Sequence, residues 1–92
     1  MSTSIQTRAA TAGLRMTAPR RVIARVLDAA SDNPAAEALH ARAAQIDTRI
    51  SLATVYRTVK LFEEKGILEK HTFGDGRARY EAADGAHHDH LI

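Results

Sequence analysis

Apolar residues recur at three- and four-residue intervals through the first two-thirds of this chain, then give way to short alternating runs near its end. That change of period predicts helices followed by strands. Residues 3–12 place Ile5, Ala9 and Ala12 on one helical face, with Gly13 as a stop. In "MTAPRRVIARVLDAASDNP", Pro19 sits where a first turn loses nothing by its missing N–H. There Val22, Val26 and Ala30 recur at i+4 beside Ile23 and Leu27, and "SDNP" closes the helix. Asn33 as N-cap and Pro34 as first residue open a third helix that carries Ala36, Leu39, Ala43 and Ile46 inward.

The fourth segment, "SLATVYRTVKLFEEKG", has the sharpest boundaries. Ser51 caps its start and Gly66 takes the position after its end. Leu52, Val55, Val59 and Phe62 form one apolar stripe, while Ala53, Arg57, Lys60 and Glu64 lie opposite, with Tyr56 on the flank. Beyond it, "ILEKHTF" and "RARYEAA" read as strands and "GDG" as the turn between them. The expected fold is mainly α with a small β-hairpin, a winged helix-turn-helix of three to four helices and a two-stranded wing.

Ninety-two residues suit one modest core and leave little room for an enclosed catalytic cavity, so no enzyme is expected. The absence of cysteine excludes disulfides and thiolate zinc sites within this stretch. No apolar window reaches the length of a membrane span, and residues 1–17 lack the apolar core of a secretory signal, which points to a cytoplasmic protein without a membrane partner.

The net charge of +2 conceals an asymmetry. Residues 1–62 carry nine Lys/Arg against four Asp/Glu; residues 63–92 carry four against seven. The basic part suits a polyanion and the acidic, histidine-bearing end suits cations. A helix whose outer face runs Ala53, Tyr56, Arg57, Lys60 suits the major groove of double-stranded DNA. Arg57 can donate two bonds to guanine, Tyr56 can pack on thymine methyls, and Lys60 can neutralise a phosphate.

"RISLATVYRTVKLFEEKGILEKHTFGDGRARYE" followed by "HHDHLI" closely resembles the ferric uptake regulator family of metal-dependent bacterial repressors, from about Gly13 to the last residue. The resemblance implies a winged-helix DNA-binding domain over residues 1–84, with residues 85–92 the hinge into a dimerisation domain absent from this chain. It implies an AT-rich inverted-repeat operator, and a homodimer in the full-length protein with these 92 residues monomeric. Tyr56 and Arg57 become the major-groove readers, and Arg15 in "GLRMT" the residue for an adjacent minor groove. Arg20 and Arg21 are expected at phosphates, with Arg77 of the wing.

The run "AHHDHLI" then acquires a meaning. On an extended strand His87 and Asp89 point one way, His88 and His90 the other, so one tetrapeptide serves two sites. By resemblance, Glu81, His88 and His90 belong to a first metal site, and His87 and Asp89 to a second, both incomplete in this chain. Imidazole with carboxylate suits Fe(II) or Mn(II) as the regulatory ion, with Zn(II) as the further candidate. Asn33 stands where many relatives carry another histidine ligand. His40 is read as a surface residue, and His71 as structural or solvated. "HHDH" lacks the spacers of a binuclear hydrolase motif. The alternatives kept open are a manganese-, zinc- or peroxide-responsive member of the family, and a winged helix used for protein–protein contacts.

Overall fold

The computed structural model describes residues 4–72 and 78–83. Four helices precede an antiparallel hairpin: α1 (Ile5–Thr11), α2 (Ala18–Ala29), α3 (Ala36–Ile46), α4 (Leu52–Glu64), β1 (Leu68–Thr72) and β2 (Ala78–Ala82). This is the expected helix-turn-helix and wing. Ile5, Ile23, Leu39, Val55, Val59 and Phe62, one or more from every helix, are almost wholly buried in a single core. Each side chain of this size stabilises the fold by roughly 1.5–3 kcal/mol through removal from water.

The ends of α1 and α4 follow the capping chemistry in the sequence. Ser4 and Ser51 accept the backbone N–H of Thr7 and Thr54, three residues on. At the other end of α1 and of α4, Gly13 and Gly66 adopt positive φ, 86° and 75°. Leu14 and Ile67 follow them and donate back to the carbonyls of Ala9 and Phe62. Both are Schellman turns, which satisfy last-turn carbonyls while placing an apolar residue back against the helix. Ile67 is buried, so this turn aims the chain out of α4 and into the wing.

Three expectations fail locally. Asn33 does not cap α3 and Pro34 does not open it; the cap is Ala35, in extended conformation, and the helix begins at Ala36. The reason is tertiary. The Pro34 carbonyl accepts the N–H of Tyr80, and Ala35 bridges Arg79, so this segment runs as a short extra strand beside β2. Ile46 is 54% exposed instead of buried, because α3 ends there and Ile50, from the following turn, joins the core. The inward face of α2 centres on Ile23, Ala24, Val26 and Leu27, with Val22 only half-buried.

Candidate nucleic-acid interface

The helix-turn-helix is fastened at its turn. Asp47 accepts three bonds from Arg49, one from its backbone N–H and two from its guanidinium. The guanidinium, foremost, holds the Asp47 carboxyl below its usual range. His40 on α3, read from sequence as a surface residue, is half-buried with Nε2 3.1 Å from the Ile50 carbonyl. That contact needs the tautomer with hydrogen on Nε2. Buried Ile50 and the His40 latch fix the angle at which α4 leaves the turn.

With Val55, Thr58, Val59 and Phe62 buried, α4 presents Ala53, Tyr56, Arg57 and Lys60 to solvent. The 3.6-residue period leaves no other outcome once the stripe is inside. Tyr56 is 45% exposed, and its hydroxyl donates to Glu37 in the first turn of α3, at 3.0 Å. This bond to an anionic acceptor, foremost, raises the Tyr56 pKa above its ordinary value. The phenol is tethered while its ring remains open to solvent.

Arg57 shares a small cleft with Thr17, Pro19 and Arg20, so the start of α2 abuts the outer face of α4. Arg20 donates Nη1 to the Arg15 carbonyl at 2.8 Å. Part of its guanidinium thus holds the 14–17 loop and Arg15, whose side chain is exposed. Arg21 is exposed one position further along α2. The sequence reading passed over Lys70. In β1 it lines, with Tyr56 and Lys60, the groove between α4 and the wing. Its distance in sequence concealed this placement, although a lysine on a wing strand is a type of residue that could have raised the question.

The hairpin register pairs Leu68 with Ala82, Glu69 with Glu81, Lys70 with Tyr80 and His71 with Arg79. Tyr80 packs inward, so alternation sends Glu69, His71, Arg79 and Glu81 to the opposite, outer face. There His71 Nε2 lies 2.6 Å from a Glu81 oxygen and 3.5 Å from a Glu69 oxygen. His71 is thus partly exposed and set between two carboxylates, and Glu69 is a neighbour that the sequence reading did not consider. Glu81 and Asn33 both border a cleft of about 470 Å³ that also holds Asp28 and Asp32. Those two aspartates are engaged, Asp28 by the Ile5 N–H and Asp32 by a bidentate Arg42.

A four-helix core, an outward basic helix after a short turn and a wing are now in place. Residues 11–92 match the model of the ferric uptake regulator family. This chain belongs to that family. It is 56% identical over 80 residues to the ferric uptake regulation protein of Rhizobium leguminosarum bv. viciae, covering 87% of this chain and 56% of that one. The corresponding protein of Brucella suis biovar 1 is 51% identical over 81 residues, covering 88% and 57%. Among solved structures, a zinc-bound manganese uptake regulator superposes with a TM-score of 0.86 at 49% identity, over 89% of this chain and 62% of that one. The ferric uptake regulator from Pseudomonas aeruginosa with manganese gives 0.78 at 34% identity, over 89% and 62%. The chain thus spans little more than half the length of the curated relatives it matches.

Members of the family are regulators of transcription and not enzymes. Within the family's frame, Arg15, Arg20, Arg21, Tyr56, Arg57 and Lys60 fall on α2, α4 and the loop before α2. Arg77 and the set His87, His88, Asp89 and His90 lie outside the described residues. Of the residues assigned to metal by resemblance, Glu81 is described, and it borders the cleft together with Asn33. A carboxylate and an amide fit a hard or borderline cation as partial ligands, so further ligands must come from elsewhere.

Proposed function

We propose that this chain is the DNA-binding part of a metal-dependent transcriptional repressor that responds to ferrous iron and acts in the cytoplasm on AT-rich inverted-repeat operators. The observation that carries the reading is the outer face of α4. Tyr56, Arg57 and Lys60 project from a braced helix, flanked by Arg20 on one side and Lys70 on the other, with exposed Arg21 next to Arg20 in the chain and exposed Arg15 bonded to it through its carbonyl. Arg57 reads a guanine edge, Arg15 enters the neighbouring minor groove, and the remaining cations answer phosphates. Glu81, His88 and His90 form the first regulatory metal site and His87 and Asp89 contribute to a second, with residues 85–92 as the hinge beyond a winged helix of residues 1–84. An inverted repeat needs two reading helices, so the functional unit is a pair of chains.

The relatives named for ferric uptake support iron. A second reading, manganese, is supported by two structural neighbours at 48% and 49% identity that are manganese uptake regulators. Asn33 in the metal-side cleft favours neither.

Titration of the chain onto an AT-rich inverted-repeat duplex tests the core of the proposal. Neutralising even a few phosphates makes affinity fall by about tenfold or more between 50 and 200 mM salt. A specific protein partner bound with little salt dependence, and no preference among duplexes, would instead make this a protein-contact winged helix. Anaerobic titrations with Fe(II) or Mn(II) as the added ion separate the two metal readings.

A further inference from the structure

We infer that the outer face of the wing is a zinc-class metal site of its own, held by His71 Nε2 and the carboxylates of Glu69 and Glu81. Three observations converge. First, strand alternation places Glu69 and His71 on one face of β1, and the register sets Glu81 of β2 directly opposite Glu69. The three ligand atoms lie within 4.8 Å of one another. Tetrahedral ligands about 2.0–2.1 Å from an ion are themselves roughly 3.3 Å apart. The His71–Glu69 separation of 3.5 Å matches that edge, and the 2.6 Å His71–Glu81 separation needs a widening that a side-chain rotation supplies.

Second, the site has a charge to answer. Like charges directly opposite in an antiparallel pair destabilise it, and Glu69 faces Glu81. Lys70 is on the other face; Arg79, opposite His71, is the cation on this one. With neutral imidazole, the two carboxylates and Arg79 leave a net −1. A divalent ion between the carboxylates turns their repulsion into shared coordination.

Third, the chemistry is selective. Three protein ligands, one nitrogen and two oxygens, with side chains about 40% exposed, leave a fourth position for water. Zn(II) is satisfied by that number, whereas Mn(II) and Fe(II) prefer more ligands. This assignment stands on the hairpin's geometry and goes beyond the regulatory reading. Because Glu81 serves in both, its substitution cannot separate them, and the decisive residues are His71 and Glu69.

The test uses the full 92-residue chain carrying His87→Ala, His88→Ala and His90→Ala, which removes the other clustered imidazoles. Zn(II) alone is titrated by calorimetry, with Co(II) absorption as a second readout and circular dichroism to confirm folding. One equivalent should bind, with His71→Ala weakening it by tenfold or more and Glu69→Gln by several-fold. The His71 imidazole resonances should move on zinc addition. Absence of zinc binding by the folded parent, or equal binding by a folded His71→Ala chain, overturns the site. If His71→Ala does not fold, unchanged binding by Glu69→Gln together with unmoved His71 resonances overturns it. Operator affinity is measured separately, so loss of DNA reading leaves this result untouched.

Discussion

Tyr56 of the outward helix and Glu37 at the start of α3 are joined by a hydrogen bond of 3.0 Å. The bond crosses the helix-turn-helix from its first helix to its second, between an exposed phenol and an exposed carboxylate. It sets the phenol's position before any partner arrives and places a negative charge beside the face that we assign to DNA.

The tyrosines should titrate late. The Glu37 carboxylate raises Tyr56, and burial, foremost, raises Tyr80, the only other tyrosine in the chain. Both folded pKa values lie above the unfolded value near 10, so the folded state holds these protons more tightly. The associated stability is present below pH 10 and is lost as pH rises through the folded values. Absorbance titration near 295 nm should show both phenols ionising above 10, and Glu37→Gln should bring Tyr56 down more than Tyr80, for which Glu37 is the smallest cause. Two unmoved phenols would mean that the bond does not persist in solution.

Reading by Arg57 and by Arg15 should fail in different ways. Arg57→Ala should cost about 1–3 kcal/mol on a cognate duplex and relax discrimination at one G·C pair. Arg15→Ala should lower the preference for A·T in the flanking minor groove. Titrations on native and base-swapped duplexes distinguish these outcomes. Equal losses on every sequence would reduce Arg57 to a phosphate contact.

Gly66 should resist substitution although space surrounds it. A Cβ there would meet nothing within 4 Å, so the penalty comes from its φ of +75° alone. Gly66→Ala should destabilise the fold by roughly 1–2 kcal/mol, the cost of a left-handed conformation for an L-residue. Ser51→Ala should cost about 1 kcal/mol through loss of the cap on Thr54. Chemical denaturation monitored by circular dichroism measures both.

The isolated 92 residues should be monomeric. Among the described residues, Ile46 and Tyr56 are the large apolar side chains left exposed, and obligate pairing needs a far larger apolar surface. Sedimentation at micromolar concentration without DNA or metal should return the single-chain mass of 10.0 kDa. A tight dimer would show that other residues of this chain supply an interface.

The sequence determined the four helices, the Ser51, Gly13 and Gly66 caps and the outward face of α4. Those features are local: a serine accepts an N–H three residues on, a glycine takes a positive φ, and a buried stripe dictates which side chains face away. Val55, Val59 and Phe62 therefore placed Arg57 and Lys60 before any packing was known. Tertiary structure decided where distant segments meet. Asn33 and Pro34 carry a valid helix-start signal, but the backbone of β2 offers the Pro34 carbonyl a hydrogen bond from Tyr80, and the segment extends instead of coiling. His40 looks free in sequence because the Ile50 carbonyl it holds lies across a turn. Glu69, His71 and Glu81 become neighbours only through the hairpin register, since a shift of one residue would send a strand's side chains to the opposite face. Local chemistry is written along the chain, whereas strand pairing depends on which backbone groups approach one another, and that depends on the whole core.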